Sequence, residues 1–167
     1  MRRGILLSAA MGASIALLAA GCGGTSKPAT PAGSPTTSAQ SGATVAVQSS
    51  KLGKILVDGQ GRTLYLFEKD KGPTSTCSGA CATAWPPYTT KAAPKAAGGV
   101  TAAWLATTAR ADGTTQVVYH GHPLYLYAGD AKAGDTKGEE LDQFGAKWYV
   151  LAPSGNKVEP KEEKGEG

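Results

Sequence analysis

A mostly β fold, built from two related hairpin-based repeats packed on one core with one short helix beside a cysteine pair, follows from three features of this 167-residue sequence. The phrase Leu64-Tyr65-Leu66-Phe67-Glu68-Lys69-Asp70 returns as Leu124-Tyr125-Leu126-Tyr127-Ala128-Gly129-Asp130, each copy after a glycine-containing turn. Self-similarity of this kind marks one structural unit used twice. Elsewhere, short β-branched or aromatic runs alternate with a period of two, which is strand patterning. Helical spacing occurs at one place, where Cys77, Cys81 and Trp85 fall four apart and would share a helix face.

Taken in order, Arg2 and Arg3 precede an apolar stretch from Ile5 to Ala20 that runs into Leu17-Leu18-Ala19-Ala20-Gly21-Cys22. This is the layout of a bacterial secretory signal, too short and too rich in Ala and Gly for a good spanning helix. Its end resembles the lipobox of bacterial lipoproteins, with Ala19 standing where leucine is most frequent. The resemblance implies cleavage after residue 21, a diacylglyceryl group on Cys22 and no other cofactor. Two acyl chains there suffice for stable anchoring where one is marginal. The expected place is therefore the extracytoplasmic face of the cell membrane, lipid-anchored.

Residues 22–43 are nearly all Gly, Ser, Thr, Pro, Ala and Gln, with one charge at Lys27. Such a stretch buries too little apolar surface to offset its ordering entropy and reads as a flexible tether. The body, residues 44–155, has the length of one domain; repeat one covers about 50–88 and repeat two about 114–152. Residues 156–167 are mostly Lys, Glu, Gly and Pro and read as a charged, solvated tail. Without Arg2 and Arg3 the 17 basic residues fall to 15 against 13 acidic ones, which makes no case for nucleic acid.

Within the body, strands are expected at Val45–Val47, Lys54–Val57, Thr63–Phe67, Thr115–Tyr119, Leu124–Tyr127 and Lys147–Leu151. Asp58-Gly59-Gln60-Gly61 and His120-Gly121-His122-Pro123 close the two hairpins. Tyr65 and Phe67, like Tyr125 and Tyr127, point to one face and the intervening leucines to the other. Both faces are apolar, so these strands are expected to be covered on both sides. Asp70 and Asp130 follow at the strand ends and are expected to accept hydrogen bonds from their own turns; a paired-carboxylate site is the functional alternative. Thr89–Gly99 reads as the connector between halves, with one strand within Val100–Thr107.

The recurring Tyr65-Phe67-Asp70 and Tyr125-Tyr127-Asp130 are similar to the signature of the bacterial secreted-repeat lipoproteins with a Yx(FWY)xxD motif. Further phrases resemble the same family: Cys77-Ser78-Gly79-Ala80-Cys81-Ala82 before Trp85-Pro86-Pro87, and Gly134-Asp135-Thr136-Lys137-Gly138 leading to Phe144-Gly145 and Trp148-Tyr149. The resemblance covers roughly residues 50–155. It implies an exported, often lipid-anchored repeat protein whose biochemical function is not established.

With Cys22 consumed by lipid, Cys77 and Cys81 are the two cysteines left, and outside the cytoplasm such a pair usually bonds. A reversible redox pair competes with that reading, although the spacing is C-x-x-x-C. A metal site would recruit His120 and His122 beside the cysteines; a solvated turn is the plainer expectation. Glu139, Glu140 and Asp142 read as a charged surface loop. No G-x-S-x-G elbow, H-E-x-x-H pair or phosphate-binding glycine loop occurs, so no enzyme is expected. Tyr88, Trp104, Tyr119 and Tyr149 either complete a small core or line a surface for peptide, glycan or protein; the core is favoured. The leading expectation is a non-catalytic envelope module of structural or binding role, with a membrane contact through the lipid and an envelope protein or glycan as partner. The alternative is an extracytoplasmic redox or electron-transfer accessory using Cys77 and Cys81, with a metal at His120 and His122.

Overall fold

The computed structural model of the chain describes residues 42–159; the signal segment, Cys22, most of the tether and the end of the tail lie outside the described residues. In chain order the elements are β1 (Thr44–Ser50), β2 (Gly53–Asp58), β3 (Tyr65–Phe67), α1 (Ala80–Ala84), β4 (Lys95–Ala96), a 3₁₀ turn (Ala102–Trp104), β5 (Leu105–Ala109), β6 (Thr115–Tyr119), β7 (His122–Pro123), β8 (Asp142–Gln143) and β9 (Ala146–Val150). They form three small sheets, ordered β2-β1-β4, β3-β9-β8 and β5-β6-β7.

Both repeats begin with an antiparallel hairpin, β1 with β2 and β5 with β6. Asp58 organises the turn after β2: its Oδ1 accepts the amides of Gln60 and Arg62, each at 2.9 Å, and its Oδ2 pairs with the Arg62 guanidinium. In repeat two the corresponding turn is His120-Gly121, with φ of 50° and 84°, between the paired Tyr119 and His122.

After these turns the two halves exchange partners. Beyond a single bridge between Val57 and Thr63, β3 leaves its own hairpin and pairs with β9 of the other repeat, Tyr65 opposite Val150 and Phe67 opposite Trp148. Reciprocally, Tyr125 bridges Pro87 of repeat one. At the crossing point Tyr65 N–H donates to Tyr125 O at 2.9 Å and Tyr125 N–H to Tyr65 O at 3.0 Å. The same relation recurs around them: Leu56 N–H reaches Leu151 O, and Val117 N–H reaches Tyr88 O, each at 2.8 Å. The contacts thus follow an approximate two-fold symmetry, and the closing segment of each repeat completes the other.

The two faces read from the sequence form two core layers. Leu64, Leu66 and Leu124 pack with Val45, Leu56, Val117, Tyr119 and Leu151 on one side. Tyr65, Phe67 and Tyr125 pack with Ile55, Trp85, Trp148, Val150 and the two cysteines on the other. Both layers draw on both repeats, and each large apolar side chain so buried contributes about 1.5–3 kcal/mol.

Several elements differ from expectation for identifiable reasons. Leu124–Tyr127 forms no strand and bridges at Tyr125 alone, to Tyr65 and to Pro87; on the second side its neighbour is Pro86-Pro87, which has no N–H to donate. The helix is limited to Ala80–Ala84, so Cys77 precedes it, and Trp85 and the two prolines stop it. The connector supplies a strand, β4, which lies parallel to β1. The solvated tail does not begin at Asn156: Lys157 bridges Leu151, Val158 N–H donates to Val150 O at 2.8 Å, and Val158 packs on the aromatic layer. Among the described residues no helix is long and apolar enough to cross a membrane.

Candidate functional site

The duplicated motif residues meet across the junction between repeats. The Tyr65 hydroxyl donates to Asp130 Oδ2 at 2.7 Å and the Tyr125 hydroxyl to Asp70 Oδ2 at 2.6 Å. The second oxygen of each carboxylate serves its own loop. Asp70 Oδ1 accepts the amide and hydroxyl of Thr76, both at 2.7 Å, and Asp130 Oδ1 accepts the Lys137 amide at 2.9 Å. The local half of this pattern was expected from the sequence and the crossed half was not. Instead of forming a paired-carboxylate site, each aspartate faces a tyrosine of the other repeat. Burial, reinforced by the facing carboxylates, holds both phenols well above their ordinary pKa, so they remain donors. Asp130 is itself pushed up by burial.

Between these pairs lies a stack of four rings in the order Phe67, Trp148, Trp85, Tyr127, with centroid separations of 4.0, 4.0 and 4.3 Å. Rings from the two repeats occupy it in a palindromic order under the two-fold relation. Tyr65 meets Trp85 edge-on at 5.3 Å, and Tyr125 meets Trp148 in the same way at 5.1 Å. Such pairs contribute about 0.5–1.5 kcal/mol beyond burial. Gln143 holds both indoles, its Oε1 accepting from Trp85 and its main-chain oxygen from Trp148.

Cys77 and Cys81 form a disulfide, with the residues 1% and 7% exposed. Its loop is held by Arg110, whose side chain is 5% exposed. Arg110 Nη2 donates to Cys77 O at 2.8 Å, while Nη1 donates to Ser75 Oγ and Gln116 Oε1, each at 2.7 Å. Sequence reasoning missed Arg110, since a single arginine beside a turn carries no local signal of burial.

The histidines do not assemble a metal centre. His120 is exposed and its ring lies 4.3 Å from that of Trp104. His122 is half-buried, and its pKa is lowered by burial first and then by His120. The cysteines are bonded to each other, and among the described residues no group of three or more His, Cys, Asp or Glu side chains is placed to hold a metal ion. Nor do the four aromatics line a surface. Tyr88, Tyr119 and Tyr149 are buried and Trp104 packs against their layer; the Tyr88 and Tyr119 hydroxyls donate to the main-chain oxygens of Thr44 and Pro153.

Glu139 departs from the expected surface loop. Its Oε2 accepts the Val150 amide at 2.6 Å, and its Oε1 is buried without a partner. Burial, with Glu140's charge adding to it, pushes the carboxyl up to about 7. The two-fold relation explains its presence: Val150 faces Tyr65 as Pro87 faces Tyr125. Proline has no amide to satisfy, whereas valine has one, and Glu139 supplies the acceptor.

A groove of about 1110 Å³ lies between the end of β3 and the segment Gly155–Glu159, with Gly145 and Ala146 of the β8–β9 hairpin on a third side. Lys157 Nζ lies in it, 3.0 Å from Glu68 Oε1 and 3.2 Å from Glu159 Oε1.

Fold and site together define a repeat module whose recurring residues build the junction between two interlocked copies. The chain belongs to the family described as a secreted repeat of unknown function, whose model matches residues 46–89 and again 106–152. Membership expected from the Tyr65 and Tyr125 phrases is thereby shown, and the place it implies is outside the cytoplasm. No curated protein and no solved structure matches the chain.

Proposed function

We propose that the protein is a lipid-anchored, non-catalytic module of the bacterial cell envelope, tethered through Cys22 and acting as a structural or binding element. The observation that carries this reading is how the motif is used. Tyr65, Tyr125, Asp70 and Asp130 spend their polar groups on one another and on their own loops, leaving the recurring residues no outward chemistry. The buried disulfide counts in the same direction, because a thiol-exchange couple needs an accessible sulfur and an activated thiolate.

Two measurements test the proposal. The intact mass of the cell-derived protein should correspond to a chain beginning at a diacylated Cys22, and Cys22→Ser should release it from the membrane fraction; an unmodified Cys22 refutes the anchor. A redox titration followed by thiol state and tryptophan fluorescence should give a potential below roughly −300 mV with loss of structure on reduction. Cycling at a higher potential with the fold intact would establish the redox alternative instead.

A further inference from the structure

We propose that the outer edge of β5 is a pairing surface for a second copy of this chain, the two strands running antiparallel about a two-fold axis at Thr107. This names a partner for the structural or binding role above and rests on that reading.

The two repeats differ at this edge. Under the relation that sets Tyr65 against Tyr125, β5 is the counterpart of β1 and Thr107 that of Val47. One side of β1 pairs with β2, and along its other side Lys95 N–H donates to Ala43 O at 2.8 Å and Ala97 N–H to Val45 O at 2.9 Å. Gly98 then lies against the main chain of Val47, so close that a Cβ there would stand 3.4 Å from its nitrogen and oxygen. β5 has no such cover and ends its sheet with β6 on one side alone. His120 N–H reaches Trp104 O and Arg110 N–H reaches Thr114 O, each at 2.9 Å. The hydrogen-bonded pairs therefore fall on even positions of β5, and the main-chain groups of Leu105, Thr107 and Ala109 point outward. Leu105 N–H is taken by Ala102 O; the outward groups of Thr107 and Ala109 have no main-chain partner among the described residues.

A second copy matches what is left. With the two Thr107 residues opposite each other, their N–H and C=O groups bond reciprocally, and each Ala109 N–H meets Leu105 O of the other copy. Natural edges are blunted by lysine, proline, a bulge or a covering segment. Leu105-Ala106-Thr107-Thr108-Ala109 is regular and uncharged, and it is exposed at Ala106, Thr107 and Ala109. The same register sets Arg110 opposite Trp104, and Asp112, already 3.2 Å from Arg110, opposite Ala102, so no like charges meet. A strand of 5 residues makes a contact below the size of a stable interface, which calls for high local concentration. The chain between Cys22 and Gly42 provides it: a coil of that length spans about 25 Å, so copies anchored at Cys22 share one thin layer.

The test is sedimentation equilibrium together with an amide NMR dilution series on the mature chain carrying Cys22→Ser, from about 10 µM to about 1 mM. Half or more of the chain should be dimeric at the upper concentration, with shifts confined to Leu105–Arg110 and their neighbours on β6. Thr107→Pro removes the N–H at the axis, at an edge position where proline is tolerated, and Thr107→Lys sets two like charges across it. Each should weaken pairing by about tenfold or more and leave Tm within about 2 °C of the parent. Thr107→Val, which keeps the main-chain groups, should pair like the parent. A monomer at every concentration overturns the proposal. Shifts at another surface, or parent-like pairing by both Thr107→Pro and Thr107→Lys, overturn it too. Because the chain tested is unlipidated, its failure is separate from failure of the Cys22 anchor, which the intact mass decides.

Discussion

Replacing Tyr125 by phenylalanine removes one oxygen from the junction between repeats and leaves every apolar contact of the ring in place. The lost hydroxyl donates to Asp70 Oδ2 at 2.6 Å, and Asp70 is 6% exposed. A hydrogen bond to a charged, buried acceptor contributes about 1.5–3 kcal/mol, and the stranded acceptor adds to the loss. We expect Y125F to lose about 2 kcal/mol and roughly 8 °C in Tm for a domain of this size. The equivalent Y65F should lose a similar amount: Asp130 is partly open to water, which can replace the donor, but the buried Gly138 amide, which donates to the Tyr65 hydroxyl at 3.3 Å, loses its acceptor. Urea unfolding of Y125F, D70N and the double variant closes a cycle whose coupling should be about 1.5 kcal/mol or more. A Y125F stability within about 0.5 kcal/mol of the parent, or a coupling near zero, would refute the reasoning that the crossed pairs hold the repeats together.

Other expectations follow from the same contacts. Cys77→Ala with Cys81→Ala should cost about 2 kcal/mol, the modest value for a short closed loop, read by denaturant unfolding. Trp148→Ala should cost about 3–5 kcal/mol and disperse the four-ring stack, seen as loss of near-ultraviolet circular dichroism. Glu139 gives a pH dependence with a definite sign: its folded pKa, about 7, lies above the ordinary 4.5, so the unfolded chain releases its proton first. Stability is therefore full below about pH 4.5 and declines as pH rises to about 7, by about 1–2 kcal/mol after solvent screening. Glu139→Gln should flatten that window while still accepting from Val150; an unchanged slope in the variant removes Glu139 as the cause.

The period-two patterning between Val45 and Leu151 located most strands because strand faces are a local property. The split of leucines and aromatics at 64–67 and 124–127 likewise announced two covered faces. The exchange of partners was not legible. Tyr65 and Asp130 are 65 positions apart, and nothing near either residue says that its partner belongs to the other copy. Tyr65 followed by Asp70 invites the local reading, which is half right. Glu139 looked like surface because its neighbours Glu140 and Asp142 are. Its role appears only when Val150 is set against Pro87, a comparison that needs the two-fold relation. Phe144-Gly145 hid a tight turn because phenylalanine is a poor signal for positive φ.

The central claim is that the two repeats complete each other and neither is a folding unit alone. Its most direct test is to produce residues 42–99 and 100–159 separately and record the amide NMR spectrum of each, then of an equimolar mixture. The interlocked arrangement predicts collapsed, unfolded-like spectra for the separate halves and native dispersion on mixing. A dispersed, cooperatively melting spectrum from either half by itself would contradict it.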